Sequence, residues 1–90
     1  MYKILIADDE IKLRETMRDY LVSKGFQIVL ASDGEEALTA AFAQVFDLTI
    51  LDVMMPGING IEVCREIRRQ QNIPVLFLSA LGEEEDLLTG

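Results

Sequence analysis

Short apolar runs alternate with longer amphipathic stretches along the chain, and this alternation restricts the fold more than any other feature of the sequence. The apolar runs are four to six residues long and occupy residues 2–7, 26–31, 48–51 and 75–78. Runs this short and this apolar are typical of parallel strands that are covered on both faces. The resulting order, β-α-β-α-β-α-β, predicts an α/β domain in which helices lie on both faces of a doubly wound parallel sheet.

The stretches between the runs carry apolar residues at helical spacing. Gly25 follows the first stretch in the position of a left-handed C-terminal cap. A capping box that begins at Ser32 or at Asp33 opens the second helix, and Asn59 caps the third. We expect these side chains to face the sheet: Leu13, Met17, Tyr20 and Leu21 from the first helix; Ala37, Leu38, Ala41, Phe42 and Val45 from the second; Ile61, Cys64 and Ile67 from the third.

Length and composition exclude several classes of function. Ninety residues suit one domain, residues 1–90. The chain has no histidine, one cysteine (Cys64) and a formal charge of −8, which argues against imidazole catalysis, disulfides, cysteine-rich zinc sites and nucleic-acid binding by this segment. No apolar run approaches the roughly 20 residues of a membrane span, and the amino terminus lacks the pattern of a signal peptide. We therefore expect a cytoplasmic domain that does not bind membranes.

Carboxylates follow two of the predicted strands. Asp8 and Asp9 come after the first strand and Asp52 after the third. In the flavodoxin-like strand order 2-1-3-4 these two strands are neighbours at the point where the winding reverses, which is where open α/β sheets bind ligands. Two like charges about 4 Å apart repel by about 4 kcal/mol at an effective dielectric near 20. A hard divalent cation would offset this repulsion, and the sequence therefore predicts a Mg²⁺ site.

Three motifs at these positions carry a specific resemblance. They are ILIADDE at residues 4–10, LTILDVMMPG at 48–57 followed by Gly60, and PVLFLSA at 74–80. Together they resemble the receiver domain of two-component response regulators, which has the CheY-like form of the flavodoxin-like fold. The resemblance runs from the first residue to the last.

The resemblance implies a role for each of five residues. Asp52 would accept a phosphoryl group from a sensor histidine kinase in a Mg²⁺-dependent reaction that switches an output, expected to be transcription. Asp9 would bind Mg²⁺ directly, Asp8 through water, and the Asp52 carboxylate and the Met54 carbonyl would complete the protein ligands. Ser79 would hydrogen-bond the phosphoryl oxygens and act as a switch. Such a domain is a phosphoacceptor rather than an enzyme in the usual sense.

The sequence departs from the family at its carboxyl end. Complete receivers have five strands and five helices, whereas here the pattern stops in the fourth helix, at residues 83–90. The phosphate-pairing lysine and the aromatic switch residue of the family belong to the part that is not present. We therefore expect a truncated domain that lacks the last strand and helix and is phosphorylated slowly. We also expect homo-oligomers that form through the uncharged fourth strand, because that strand would be an exposed sheet edge. An output domain is expected beyond residue 90 if the natural chain continues.

Other functions fit the residues less well. A haloacid-dehalogenase-type phosphatase needs Asp-x-Asp after the first strand, and this chain has Asp8-Asp9-Glu10. A flavodoxin-like mononucleotide binder needs hydroxyls and amides in that loop, where this chain has three acids. A nucleotide hydrolase with residues 48–52 as its Walker B strand needs a phosphate-binding G-x-x-x-x-G-K-[ST] loop, which is absent from the sequence. A receiver-like interaction module that is not phosphorylated stays open as the alternative.

Overall fold

A computed structural model describes residues 2–78, which form one parallel four-stranded sheet with three helices. The strand order is β2-β1-β3-β4, as the sequence predicts. The predicted turn that contains Ser79 and the predicted helix start at residues 83–86 lie outside the described residues. The elements are β1 (Lys3–Ala7), α1 (Ile11–Ser23), β2 (Gln27–Ala31), α2 (Gly34–Ala43), β3 (Leu48–Asp52), α3 (Gly60–Arg68) and β4 (Val75–Leu78).

The sheet separates two hydrophobic clusters because alternate side chains of a strand point to opposite faces. Ile4, Ile6 and Ile50 face the side of α1, where Met17 and Leu21 pack against them. The intervening residues of β1 and β3 face α2 and α3 and form the larger cluster with the small and branched side chains of those helices. The central strands are therefore buried on both faces, as the continuous apolar runs predict.

The predicted inner faces of α2 and α3 are partly wrong. Phe42 is 45% exposed and Val45 82% exposed, and Val45 lies beyond the last residue of α2. On α3, Ile61 is 48% exposed, while Val63, which the sequence analysis did not select, is fully buried. The reason is the close approach of Gly60 to the end of β3, which turns Gly60, Val63 and Ile67 toward the sheet.

The inner face of α1 is narrower than predicted. Met17 and Leu21 pack against the sheet, whereas Leu13 and Tyr20 are 40% and 61% exposed. The C-terminal cap agrees with the sequence, because Gly25 follows the helix with a φ of 97°. No helix among residues 2–78 has the length and apolar character needed to cross a bilayer.

Candidate functional site

Three carboxylates lie together at the carboxyl end of the sheet. Ala7 of β1 is level with Leu51 of β3, so the residues that follow them, Asp8 and Asp52, leave the sheet side by side. One carboxylate oxygen from each of Asp8, Asp9 and Asp52 lies within 4.8 Å of the other two. This convergence agrees with the sequence analysis, and it depends on the parallel pairing of two strands that are distant in sequence.

The two acids after β1 have different surroundings. Asp8 is 2% exposed, and its Oδ1 accepts a hydrogen bond of 2.8 Å from the Glu10 amide. The Asp8 amide donates to the carbonyl of Ala31 on β2, which continues the sheet ladder by one residue. Asp9 is exposed. The Asp8 carboxylate is thus fixed in the protein, while the Asp9 carboxylate faces solvent.

Asp52 is half-buried, and its Oδ1 accepts a 3.2 Å hydrogen bond from the Met54 amide. Burial raises the pKa of the Asp52 carboxyl above its usual range, and the negative charges of Asp8 and Asp9 raise it further. The Met54 hydrogen bond opposes this rise because it stabilises the carboxylate. The net upward shift indicates that an ionised Asp52 carries an electrostatic cost, which a nearby cation would reduce.

Two glycines fix the segment that follows Asp52. A Cβ atom at Gly60 would overlap the carbonyl oxygen of Asp52, and one at Gly34 would overlap the carbonyl oxygen of Ile58. The Gly60 amide donates to the carbonyl of Val53 at 3.0 Å. The first residues of α2 and α3 therefore pack directly on the backbone after β3, and any larger side chain there would displace it.

The donor set of this site fits Mg²⁺. All three side chains offer carboxylate oxygens, which hard divalent cations prefer, and neither histidine nor cysteine joins the cluster. Three carboxylates within 4.8 Å of one another also concentrate negative charge in a way that a divalent cation neutralises. Met54 follows Asp52 by two residues, and its backbone already contacts the Asp52 carboxylate.

Among the described residues, no lysine contacts the cluster. The Lys3 side chain donates to Gln44 at the opposite end of β1. The cation that reaches the acidic turn is Arg14 of α1, whose Nη1 donates to the carbonyl of Asp8 at 2.7 Å. Arg14 cannot be recognised as part of the site from the sequence, because its helical spacing gives no sign that its side chain folds back toward β1. Ser79 lies outside the described residues, so its role stays a prediction.

Comparisons with known proteins agree with this arrangement. The family model of the response regulator receiver domain matches residues 4–90. The chain is 46% identical over 88 residues to a protein of Cyanophora paradoxa named "Probable transcriptional regulator ycf27" and 43% identical over 88 residues to the transcriptional regulatory protein ResD of Bacillus subtilis. In both cases the match covers 98% of this chain but 37% of the relative, so this chain spans less than two fifths of the length of either protein.

Solved structures show the same architecture. The response regulator protein TrrA of Thermotoga maritima, solved in complex with Mg²⁺-BeF, matches with a TM-score of 0.85 and 40% identity, over 97% of this chain and 77% of that one. A two-component response regulator of Clostridium difficile matches with a TM-score of 0.88 and 28% identity, over 98% of this chain and 73% of that one.

Proposed function

Because the chain belongs to the receiver-domain family of response regulators, we propose that Asp52 accepts a phosphoryl group from the phosphohistidine of a sensor histidine kinase. The observation that carries this proposal is the meeting of three carboxylate oxygens within 4.8 Å at the ends of two neighbouring strands. Asp8, Asp9 and Asp52 would hold Mg²⁺ together with the Met54 carbonyl. The proposal assigns residues 1–90 to a single receiver domain.

The reaction is a transfer between two nucleophiles. A carboxylate oxygen of Asp52 attacks phosphorus, the bond between phosphorus and the histidine nitrogen breaks, and that nitrogen keeps the electron pair and takes a proton from solvent. The product on this chain is an aspartyl phosphate. Bound Mg²⁺ supplies positive charge that offsets the repulsion between the anionic nucleophile and the phosphoryl oxygens. The Met54 amide holds Oδ1 of Asp52, which orients the carboxylate and leaves its other oxygen available for attack.

Phosphorylation of Asp52 would act on an output domain through the surface around the site. The Ser79 hydroxyl would hydrogen-bond the phosphoryl oxygens and so couple phosphorylation to a change in the surface around the site. If the natural chain continues past residue 90, that surface would act on an output domain, and the names of the relatives support a transcriptional output. The domain is then a signalling module in the cytoplasm, modified on its own aspartate, rather than an enzyme that turns over a separate substrate.

A second candidate function is a receiver-like interaction module that is not phosphorylated. One observation favours it. Among residues 2–78, β4 pairs with β3 alone, and Leu76 and Phe77 of β4 are 53% and 42% exposed. Their sheet partners, Ile50 and Leu51, belong to the clusters on opposite faces, so β4 offers apolar side chains on both sides. Self-association through β4 would be the function of such a module.

Labelling with acetyl phosphate separates the two candidates. The chain is incubated with this small phosphodonor, with Mg²⁺ or with a chelator, and intact mass and peptide mapping locate the modification. We expect slow labelling of Asp52 that requires Mg²⁺, none in Asp52→Asn, and unchanged labelling in Asp19→Asn, which alters an exposed aspartate of α1. Divalent-cation binding without any labelling would favour the interaction module. Labelling of another residue, or labelling independent of Mg²⁺, would contradict the phosphoacceptor proposal.

A further inference from the structure

The acidic turn between β1 and α1, residues 8–10, is held by hydrogen bonds on both sides of Asp8. The Asp8 amide donates to Ala31 of β2 at 3.1 Å, and the Asp8 side chain accepts from the Glu10 amide at 2.8 Å. The carbonyl of Asp8 points to neither partner and accepts instead from Arg14 Nη1 at 2.7 Å. This last bond is partly buried, and it connects the acidic turn to Arg14 in the second helical turn of α1.

The start of α1 has few other restraints of its own. Glu10, the residue before the helix, makes no side-chain hydrogen bond to the first turn, and that turn contains no acidic residue. A side-chain cap and an acidic residue in the first turn usually stabilise a helix N-terminus, and α1 has neither. The Arg14 amide donates to the Glu10 carbonyl at 3.0 Å, so the backbone and the side chain of Arg14 together tie the helix to the acidic turn.

Arg14 differs from the other cations of α1. Arg18 pairs with Asp19 at 3.0 Å on an exposed surface, and Lys12 is exposed. The charge of Arg14 also reaches α2. Hydrogen bonds from Ser32 lower the pKa of the Glu36 carboxyl, and the positive charge of Arg14 lowers it further. Arg14 is therefore the cation of α1 that hydrogen-bonds the acidic turn, and its charge also acts on the carboxyl of Glu36 in α2.

We propose that Arg14 is a positioning residue that fixes the Asp8 carbonyl and thereby sets the affinity of the three-carboxylate cluster for a divalent cation. This inference rests on the proposed function of the cluster. It assigns Arg14 no contact with the metal or the phosphoryl group. Arg14 holds the backbone between two of the carboxylates, so that Asp8 and Asp9 keep their distance to Asp52 before a cation binds.

Two effects of removing Arg14 oppose each other, and their sizes differ. Loss of a positive charge near the cluster favours cation binding, but solvent and salt limit this effect to about twofold. Loss of a group that holds metal ligands in place typically weakens binding by about 10- to 100-fold. Because Arg14 acts on the backbone rather than on a ligand atom, we expect the lower end, about tenfold weaker binding.

Titration with Mn²⁺, followed by electron paramagnetic resonance, tests this inference. Arg14→Met removes the charge and the hydrogen bond, and Arg14→Lys keeps the charge but loses the planar donor group. Arg18→Met removes a charge from the same helix without touching the acidic turn and serves as the matched control. We expect about tenfold weaker binding for Arg14→Met, about threefold weaker for Arg14→Lys, and a change within about twofold for Arg18→Met.

Two further measurements separate positioning from general stability. Thermal unfolding without metal identifies variants that fold cooperatively, and if Arg14→Met does not fold, Arg14→Lys carries the test. Hydrogen exchange of the Glu10 amide should be faster in the Arg14 variants than in the wild type, because the turn loses a restraint. Binding by Arg14→Met or a folded Arg14→Lys as tight as that of the wild type would overturn the inference alone. A wild-type chain that does not bind Mn²⁺ would overturn the proposed metal site, and the inference with it.

Discussion

Replacement of Asp52 by asparagine should stabilise the metal-free chain. Carboxylate oxygens of Asp8, Asp9 and Asp52 lie within 4.8 Å of one another in the folded protein. Asp8 and Asp9 are adjacent in sequence, so much of their mutual repulsion persists in the unfolded chain. Asp52 meets them only when β1 and β3 pair, and its repulsion with both is therefore a cost of folding.

The size of this cost follows from the geometry. Two unit charges 4.8 Å apart repel by about 0.9 kcal/mol at the dielectric of water and by about 3.5 kcal/mol at an effective dielectric of 20. Asp52 is only half-buried and Asp9 is exposed, so the repulsion per pair lies near the value for water. Summed over the two pairs that Asp52 makes, its neutralisation should raise the free energy of unfolding by about 1–2 kcal/mol. The asparagine keeps a side-chain oxygen for the Met54 amide. In a domain of this size 1 kcal/mol raises the Tm by about 4–8 °C.

The stability that Asp52→Asn gains over the wild type should depend on pH. The folded-state pKa of Asp52 is raised, so the folded chain keeps a proton on Asp52 to higher pH than the unfolded chain does. Wild-type stability therefore falls as the pH rises from the ordinary aspartate pKa, about 3.9, through the raised pKa. The difference in the free energy of unfolding between the wild type and Asp52→Asn should reach its full size at neutral pH and should vanish below the ordinary aspartate pKa.

Thermal unfolding followed by circular dichroism measures this difference, in chelator and over a range of pH. Glu15→Gln removes one exposed carboxylate from α1 and controls for net charge. Addition of Mg²⁺ should raise the Tm of the wild type more than that of Asp52→Asn, because the proposed cation site exists only in the folded chain and includes Asp52. A lower or unchanged Tm for Asp52→Asn in chelator at neutral pH, or an equal gain for Glu15→Gln, would refute the electrostatic argument.

Three further changes test other parts of the structure. Thr49→Val should raise the free energy of unfolding, measured by chemical denaturation, by about 1 kcal/mol. The reason is that the Thr49 hydroxyl is fully buried and has no hydrogen-bond partner among the described residues. A loss of stability would show that this hydroxyl does have a hydrogen-bond partner. Gly60→Ala should cost about 1–3 kcal/mol and weaken Mn²⁺ binding, because its Cβ would displace the backbone of Asp52; unchanged binding would mean that the segment after β3 adjusts freely. Leu76→Lys and Phe77→Lys should each reduce any self-association seen by light scattering at micromolar concentration, and a wild-type chain that is monomeric over that range would contradict assembly through β4.

The individual strands are predictable from sequence because each depends on a local pattern, whereas the acidic edge also requires the order of the strands. Each strand is an apolar run that ends at a turn, and parallel pairing places Asp8 and Asp52 at the same edge once the strand order is known. The resemblance to receivers supplies that order, and the observed topology confirms it. The caps are also local, and the Asp33 and Asn59 side chains each accept a hydrogen bond from the amide three residues later.

The rotation of the helices about their axes is not a local property. Ile61 and Val63 are both apolar, and Val63 faces the sheet because it shares a helix face with Gly60, which packs against the backbone of Asp52. The bond from Arg14 to the Asp8 carbonyl likewise depends on the position of α1 relative to β1. Such contacts need three-dimensional packing, which the spacing of residues along a helix does not specify.

A crystal structure of the chain grown with Mg²⁺ and beryllofluoride, a stable mimic of a phosphoryl group, would show which residues hold the cation and which residue accepts the phosphoryl group. We expect one Mg²⁺ about 2.1 Å from carboxylate oxygens of Asp9 and Asp52 and from the Met54 carbonyl, with Asp8 linked through water and beryllium bound to a carboxylate oxygen of Asp52. A cation bound without Asp52, or beryllofluoride attached to any other residue, would contradict this expectation.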